Sequence, residues 1–269
     1  MRNIKLTIEY DGTGFNGWQT QRRLTPPFKV QGSTPYHKGT GHGFKVKRLK
    51  TVQGEIEEAA KKLFGKRISL IGASRTDSGV HAKAQAANFR IDSKLPLNNI
   101  RNGLNSFLPR SISIISAEET ALKFHSRIDS EGKLYKYTIV SRQSRSPLSS
   151  RYAAFVPYDM NIAAMKKASK YLIGRKDFKS FQASDKKEKC SIRTVKKIEI
   201  ISNLPIINIY IQADGFLYNM ARNIAGTLIE VGRGRFKPEK VKEILAKQYR
   251  PLAGQTAPAK GLCLEKVFY

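Results

Sequence analysis

An aspartate directly after a predicted strand is the residue of this sequence best placed to do chemistry. Asp77 follows the apolar run at residues 68–71 and lies between Arg75 and Gly79 in a short polar loop. A carboxylate held at the end of a strand lies at the edge of a cleft, where catalytic groups are often found. Asp-Ser-Gly is also common in ordinary turns, so this loop alone leaves a turn and a catalytic site both open.

Two further residues could act beside that aspartate. In the strand predicted at residues 133–140, alternation places Tyr135 on one face, and a tyrosine that faces a cleft can stack on a base, a contact worth about 1–3 kcal/mol. In the helix predicted at residues 217–231, Arg222 lies off the apolar stripe and could keep a carboxylate ionised by pairing with it. The same patterns also fit a core tyrosine and a solvated arginine.

A glycine pattern near the start of the chain matches a dinucleotide-binding loop but lacks its context. Residues 12–17 read Gly-x-Gly-x-x-Gly, which should open a helix and lead to an acidic residue about twenty positions later. Pro26 and Pro27 end any helix early, and no Asp or Glu occurs between Asp11 and Glu55. We therefore expect no nucleotide cofactor.

The charge of the chain indicates a polyanionic partner. Its 49 Lys and Arg residues against 21 Asp and Glu residues give a formal net charge of +28, and the excess is spread along the chain. Such an excess repels itself in a compact fold, so a nucleic acid that neutralises it is the simplest partner. A generally basic proteome would also give such a charge. The even spread favours a folded protein with a basic face over a disordered arm.

Cysteine content and hydropathy set further expectations. Cys190 and Cys263 have neither CxxC pairing nor metal-ligand spacing, so we expect no disulfide, no metal site and a reducing compartment. No run of about eighteen apolar residues could span a membrane. The first predicted strand begins at Ile4, which leaves no room for a signal peptide. We expect a soluble, cytoplasmic protein with no membrane contact.

Periodicity predicts a mixed fold of strands and helices in two halves. Thr51 is a suitable N-cap for the first helix, and the adjacent strands within residues 195–213 favour antiparallel pairing and an α+β class. The weakest patterning falls near residue 122, which divides an N-terminal α/β domain, 1–122, from a C-terminal one, 123–269. The strands are predicted at 4–10, 68–71, 87–91, 112–115, 133–140, 195–201, 206–213 and 262–268, and the helices at 52–63, 96–107, 162–172, 217–231 and 238–245.

A basic stretch at residues 22–50 interrupts the first half. It contains eight Lys or Arg residues, three prolines and four glycines, and no acidic residue. This composition predicts a long mobile loop without a packed element. It could be a solvated insertion or an electrostatic clamp on an anion, and the composition fits both equally.

Taken in order, the short sequence blocks of the chain closely resemble the tRNA pseudouridine synthase A family. The resemblance runs from residue 6 to residue 269 and so covers nearly the whole chain. A single block is weakly specific, whereas the ordered set is highly specific. The matching blocks are residues 10–13, 17–21, 51–54, 73–82, 104–109, 124–127, 135–137, 177–181, 213–234, 256–258 and 261–262.

The resemblance implies a fold, a reaction and a substrate. The fold is a pseudouridine synthase fold of two ferredoxin-like α/β domains, with mostly antiparallel sheets flanking a central basic cleft. The reaction isomerises uridine to pseudouridine without a cofactor. The substrate is tRNA, at positions thirty-eight to forty on the 3′ side of the anticodon stem-loop. The enzyme is a homodimer, and each tRNA touches both subunits.

The resemblance also implies roles for four residues of this sequence. Asp77 is the nucleophile, and Arg222 is the basic partner that forms a salt bridge with it. Tyr135 packs on the target base and can take part in proton transfer. Arg75 helps to flip the target nucleotide out of the stem and fills its place.

Two departures from the family pattern separate this chain from its relatives. The insertion at residues 22–50 replaces a connection that is usually short, so no contacts there are carried over. Ser74 and Ser78 stand where the family often has Gly and Ala, and we expect little effect of either on Asp77. The competing interpretation of the whole chain is a non-catalytic tRNA-binding or RNA-chaperone protein, which would use the positive charge but not the carboxylate.

Overall fold

The computed structural model describes residues 1–20, 22–24, 46–183 and 190–269. Within these residues the chain forms twelve strands, five α-helices and three short 3₁₀ turns. The strands are β1 (Arg2–Tyr10), β2 (Arg22–Leu24), β3 (Val46–Arg48), β4 (Ile71–Gly72), β5 (His81–Ile91), β6 (Ile112–Thr120), β7 (Gly132–Ser141), β8 (Ala154–Val156), β9 (Gly174–Asp177), β10 (Ile192–Asn203), β11 (Ile206–Ala213) and β12 (Leu262–Phe268). The helices are α1 (Val52–Phe64), α2 (Leu97–Phe107), α3 (Ile162–Lys170), α4 (Met220–Gly232) and α5 (Lys240–Lys247).

One continuous sheet of ten strands joins the two halves of the described chain. Its path runs β6-β1-β5-β12-β7-β11-β10-β9, with β4 paired to β5 and β8 paired to β7. Most pairings are antiparallel, and the halves meet where β12 runs parallel to β5, with Cys263 opposite His81. The predicted α+β class is confirmed. The domain boundary at residue 122 stays a prediction, and it follows directly after the end of β6.

Local sequence explains why the first helix begins and ends where it does. The Thr51 hydroxyl accepts a hydrogen bond from the Gly54 backbone N–H at 3.2 Å, which satisfies one of the free donors of the first turn. Gly65 ends the helix in the left-handed region at φ 70°, a conformation that glycine adopts at little cost. The predicted helix and its cap are confirmed.

Some strands differ from the sequence prediction. The strand expected at residues 68–71 is reduced to Ile71–Gly72, while β8 and β9 were not predicted. The prediction that residues 22–50 contain no packed element is wrong at both ends, because β2 and β3 pair as an antiparallel ribbon. Residues 25–45 of this insertion, and residue 21 before it, lie outside the described residues.

Helices and strands bury apolar side chains on both halves of the sheet. In β1 the inward residues Ile4, Leu6 and Ile8 are fully buried, as the alternation of a half-buried strand requires. In the second half, α4 contributes the longest run of buried side chains and packs on α3. Among the described residues, no helix is long and apolar enough to cross a membrane.

Candidate active site

The predicted site residues meet in one cleft. Its volume is about 720 Å³. Asp77 and Arg75 reach it from the loop between β4 and β5, Tyr135 from β7, and Arg222 from the first turn of α4. The four residues are separated by up to 147 positions in sequence, from 75 to 222, and the continuous sheet brings them together.

Arg222 is held in place by three acceptors. Its Nη1 donates to Asp77 Oδ2 at 3.1 Å and to Asn219 Oδ1 at 3.0 Å, and its Nε donates to the Ala257 carbonyl at 2.8 Å. The side chains of Asp77 and Arg222 are 20% and 17% exposed. A guanidinium fixed at both ends presents one N–H group to the carboxylate in a defined direction.

Burial and the arginine act in opposite directions on the carboxylate. Burial raises the pKa of Asp77, the hydrogen bond and charge of Arg222 lower it, and the net pKa lies above the usual value for an aspartate. Desolvation disfavours the charged form of any carboxyl group. Arg222 therefore offsets only part of the desolvation, and the ionised form of Asp77 is less favoured than that of a carboxylate in water.

The glycine pattern at residues 12–17 packs against the loop that carries Asp77. The Trp18 backbone N–H donates to the Thr76 carbonyl at 3.1 Å. Gly17 has φ +85°, and a Cβ there would lie 2.7 Å from the same carbonyl oxygen. Residues 11–17 form no helix, which agrees with the prediction that the pattern does not open a dinucleotide-binding fold. The close approach to Thr76 explains the need for glycine.

Buried polar side chains fix the residues just before Asp77. The Tyr10 hydroxyl shares a hydrogen bond of 2.7 Å with the Thr76 hydroxyl. Gln85 of β5 is fully buried, accepts from the Ser74 backbone N–H at 3.2 Å and donates to the Ser74 carbonyl at 2.7 Å. These two hydrogen bonds fix the backbone of Ser74, just after the end of β4, as pairing with a neighbouring strand would.

Tyr135 forms one wall of the cleft and is fixed by two neighbours. Its hydroxyl shares a hydrogen bond of 2.7 Å with Ser74 Oγ, and its ring meets Phe216 edge to face, with 4.9 Å between ring centroids. Burial, with a smaller effect from the charge of Asp77, raises the pKa of the Tyr135 hydroxyl well above its usual range. At neutral pH the group stays protonated and can donate a hydrogen bond.

Other positively charged side chains also line the cleft, and one of them is Arg75, the fourth predicted site residue. Arg75 is exposed and makes no side-chain hydrogen bond or salt bridge with another described residue, so its side chain can move into the cleft. Arg127, Lys133 and Arg193 also line the cleft. The expected basic character of the cleft is therefore present, and it comes from both halves of the sheet.

Several supporting residues were not predicted from the sequence. A supporting role for Gln85 could have been suspected, because its polar amide lies between Ala84 and Ala86 in a mostly buried part of β5. The contact between Ser74 and Tyr135 and that between Arg222 and Ala257 join distant segments, and no local pattern indicates them. Among the described residues, no group of three or more His, Cys, Asp or Glu side chains could hold a metal ion.

Comparisons with known proteins identify the family of this chain. The family described as tRNA pseudouridine synthase matches residues 42–129 and 168–269. A protein named tRNA pseudouridine synthase A 2 from Clostridium perfringens is 45% identical, and the alignment covers 100% of both chains. The tRNA pseudouridine synthase A of Caldicellulosiruptor bescii is also 45% identical, with 100% of both chains covered. That of a Thermoanaerobacter species is 42% identical over the same share of both chains.

Proposed function

The chain belongs to the tRNA pseudouridine synthase family and isomerises uridine in tRNA to pseudouridine, and we propose that Asp77 is the nucleophile of that reaction. One observation carries the proposal: the Asp77 carboxylate lies in the cleft 3.1 Å from Arg222 Nη1 and is mostly withdrawn from water. A desolvated carboxylate beside a single cation is a stronger nucleophile than one surrounded by water.

The reaction needs such a group because a carbon–nitrogen bond must be exchanged for a carbon–carbon bond. The N1–C1′ bond breaks, the base turns, the C5–C1′ bond forms, C5 loses its proton and N1 gains one. Asp77 can add to C6 of the ring or to C1′ of the ribose, and the site geometry is compatible with either. In both routes the ionised form of Asp77 reacts and is regenerated, so no net proton is consumed.

The target base must leave its stack before Asp77 can reach it. A base inside a stem is inaccessible, and enzymes that act on bases extrude them into a pocket. Tyr135 provides an aromatic wall for the extruded base, and the side chain of Arg75, which also lines the cleft, can fill the position that the base leaves in the stem. Aromatic and guanidinium planes are the usual partners of splayed bases. These two roles are part of the proposal.

Finer features of the activity are also proposed. The target uridines are expected at positions thirty-eight to forty of the anticodon stem-loop, the protein is expected to act as a homodimer, and the cytoplasm is its expected location. The formal charge of +28 supports contact with a folded tRNA beyond the cleft, because phosphate contacts position an RNA without reading its sequence. No cofactor is required by the bond exchange described above.

The net charge alone would also suit a non-catalytic tRNA-binding protein or RNA chaperone. The two functions separate when excess protein is incubated with unmodified tRNA, and the RNA is then digested and its nucleosides are separated by chromatography. We expect pseudouridine to appear at one to three uridines per tRNA, in step with the loss of uridine. Tight binding with unchanged nucleosides would overturn the catalytic function and leave the binding protein.

A further inference from the structure

A second group of cations lies in the cleft away from the pair of Asp77 and Arg222. Arg127 follows β6 in the turn before β7, and Lys133 is the second residue of β7. Both side chains line the cleft. Neither makes a hydrogen bond or salt bridge with another described side chain, although Lys133 is partly buried. Lysine side chains are seldom withdrawn far from water in folded proteins unless their ammonium group is paired.

The register of β7 places Lys133 beside the base-binding wall. Lys133 and Tyr135 are two positions apart in one strand, so their side chains project from the same face, about 7 Å apart along the chain. Across the strand pair, Lys133 lies opposite Ala213. The next residues of that chain lead to Phe216, which packs on the Tyr135 ring. Lys133 is therefore the nearest cation to Tyr135 on that face of the strand, since Lys136 projects from the opposite face and pairs with Glu265.

The charges around Lys133 are unfavourable in the free protein. Burial lowers the pKa of Lys133, and the charges of Arg127 and Arg193 lower it further, whereas Asp214 acts in the opposite direction. Asp214 is itself engaged, because its carboxylate accepts from the Thr194 and Gly215 backbone N–H groups. A group of like charges in a cleft costs stability unless an anion joins it, and such a cost usually marks a binding site.

We propose that Arg127 and Lys133 form a subsite for one phosphodiester group of the substrate RNA, next to the uridine that Tyr135 and Asp77 receive. This inference rests on the proposed function, because it places a backbone phosphate relative to the extruded base. A phosphate supplies acceptor oxygens for both an ammonium and a guanidinium. The subsite would fix the sugar of the target nucleotide against Asp77, so Lys133 and Arg127 are positioning residues.

The test pairs protein variants with RNAs that lack one backbone charge. Anticodon stem-loop RNAs carry a neutral methylphosphonate at the linkage on the 5′ or the 3′ side of the target uridine. They are titrated against the wild type, Lys133→Met, Lys133→Arg and Arg127→Met. For the unmodified RNA we expect Lys133→Met to raise Kd roughly tenfold, the usual scale for one charge-assisted contact. Its salt slope should fall by about one unit, and Lys133→Arg should restore most of the affinity.

The decisive result is a loss of additivity. One methylphosphonate linkage should weaken wild-type binding and have little further effect on Lys133→Met, whereas the other linkage should weaken both proteins alike. Lys94→Met is the matched control, because Lys94 is exposed and does not line the cleft. The subsite is refuted if Lys133→Met binds no more weakly than Lys94→Met, or if both linkages remain fully additive with Lys133→Met.

Circular dichroism and melting temperatures show whether each variant is folded. If Lys133→Met is misfolded, Arg127→Met replaces it in the comparison, because the Arg127 side chain is exposed and its loss should not disturb the fold. The binding measurement is independent of turnover. If the wild type forms no pseudouridine but shows the loss of additivity, the proposed function fails and the phosphate subsite stands. If the wild type is active and every variant matches Lys94→Met, the subsite fails alone.

Discussion

The guanidinium of Arg222 joins two distant segments of the chain at the carboxylate of Asp77. Arg222 Nη1 lies 3.1 Å from Asp77 Oδ2, and Arg222 Nε donates to the Ala257 carbonyl on the far side. The arginine thus connects α4, the loop after β4 and the segment before β12. Its position sets both the charge state and the direction of the proposed nucleophile.

Removing this arginine should change the pH dependence of the reaction. Arg222→Gln is expected to lower kcat/KM at neutral pH by about a hundredfold or more, the scale for one preorganised charge partner. Arg222 lowers the pKa of Asp77, so its loss raises that pKa and moves the acid limb of the pH profile to higher pH. An acid limb at the same pH as the wild type would contradict the role given to Arg222.

Arg235→Gln is the matched control for this measurement. Arg235 follows the same helix, and its side chain is 63% exposed beside Glu230. Arg235 does not line the cleft, and a distant, solvent-exposed charge has little effect on a carboxylate because salt screens it. The control variant should keep the wild-type pH profile, and a similar shift in both variants would indicate a general loss of positive charge.

The proposed nucleophile, Asp77, should reduce the stability of the fold at neutral pH. Because the pKa of Asp77 is raised in the folded state, protonation of this group favours folding. That stabilisation is fully present below the unfolded-state pKa and is lost as the pH rises through the folded-state pKa. Asp77→Asn, which imitates the protonated acid, should therefore melt about 1–4 °C above the wild type at pH 7.

Melting curves between pH 4 and pH 8 test this sign. The difference in Tm between Asp77→Asn and the wild type should shrink as the pH falls, because the wild-type carboxyl group then becomes protonated as well. A variant that melts below the wild type at pH 7 would show that the pairing with Arg222 outweighs the desolvation of Asp77.

The serine before Arg75 should matter to Tyr135. Ser74→Ala removes the hydroxyl that shares the 2.7 Å hydrogen bond with Tyr135 and leaves a buried hydroxyl without its partner, at a cost of about 1–3 kcal/mol. We expect kcat/KM to fall roughly three- to tenfold, since the ring loses its fixed orientation. Ser78→Ala is the control, because its hydroxyl donates to the Phe15 carbonyl and not to Tyr135. Equal kinetic effects in the two variants would argue against an orienting contact.

Gly17, which packs against the loop that carries Asp77, should be required for the full reaction rate. Gly14 and Gly17 both have positive φ, +82° and +85°, but only at Gly17 would a Cβ meet the Thr76 carbonyl, at 2.7 Å. Both alanine variants should lose stability from the left-handed backbone. Only Gly17→Ala should also lower kcat, by up to about a hundredfold, because it displaces the Asp77 loop. A normal kcat for Gly17→Ala would show that the loop tolerates the shift.

Much of the fold could be predicted from local patterns. The residues 206–213 and 262–268 were predicted as strands with the bounds that the structure shows. In β11 buried and partly buried residues alternate along the whole strand, which is the pattern of a half-buried strand. β9 (Gly174–Asp177) contains three charged residues and a glycine. It is a strand because β10 pairs with it. Pairing with a strand that is distant in sequence cannot be predicted from the local sequence of β9.

The site was predictable in its residue types but not in its connections. Asp77 could be proposed because it follows a predicted strand. Alternation places Tyr135 on one face of its strand, and Arg222 lies off the apolar stripe of its helix. The two hydrogen bonds between Gln85 and Ser74 join β5 to the loop after β4, and they depend on a side-chain direction that the sequence does not give. Likewise, the unpaired state of Lys133 became visible only once its neighbours were placed.

The release of tritium from tRNA labelled at C5 of uridine tests the role of Asp77 most directly. Forming the C5–C1′ bond expels the hydrogen at C5, so the released label reports the bond exchange itself. With enzyme in excess over tRNA, the wild type should release the label from its target uridines, while Asp77→Asn should bind the tRNA and release none. Release by Asp77→Asn at a rate near that of the wild type would contradict the assignment of Asp77 as the nucleophile.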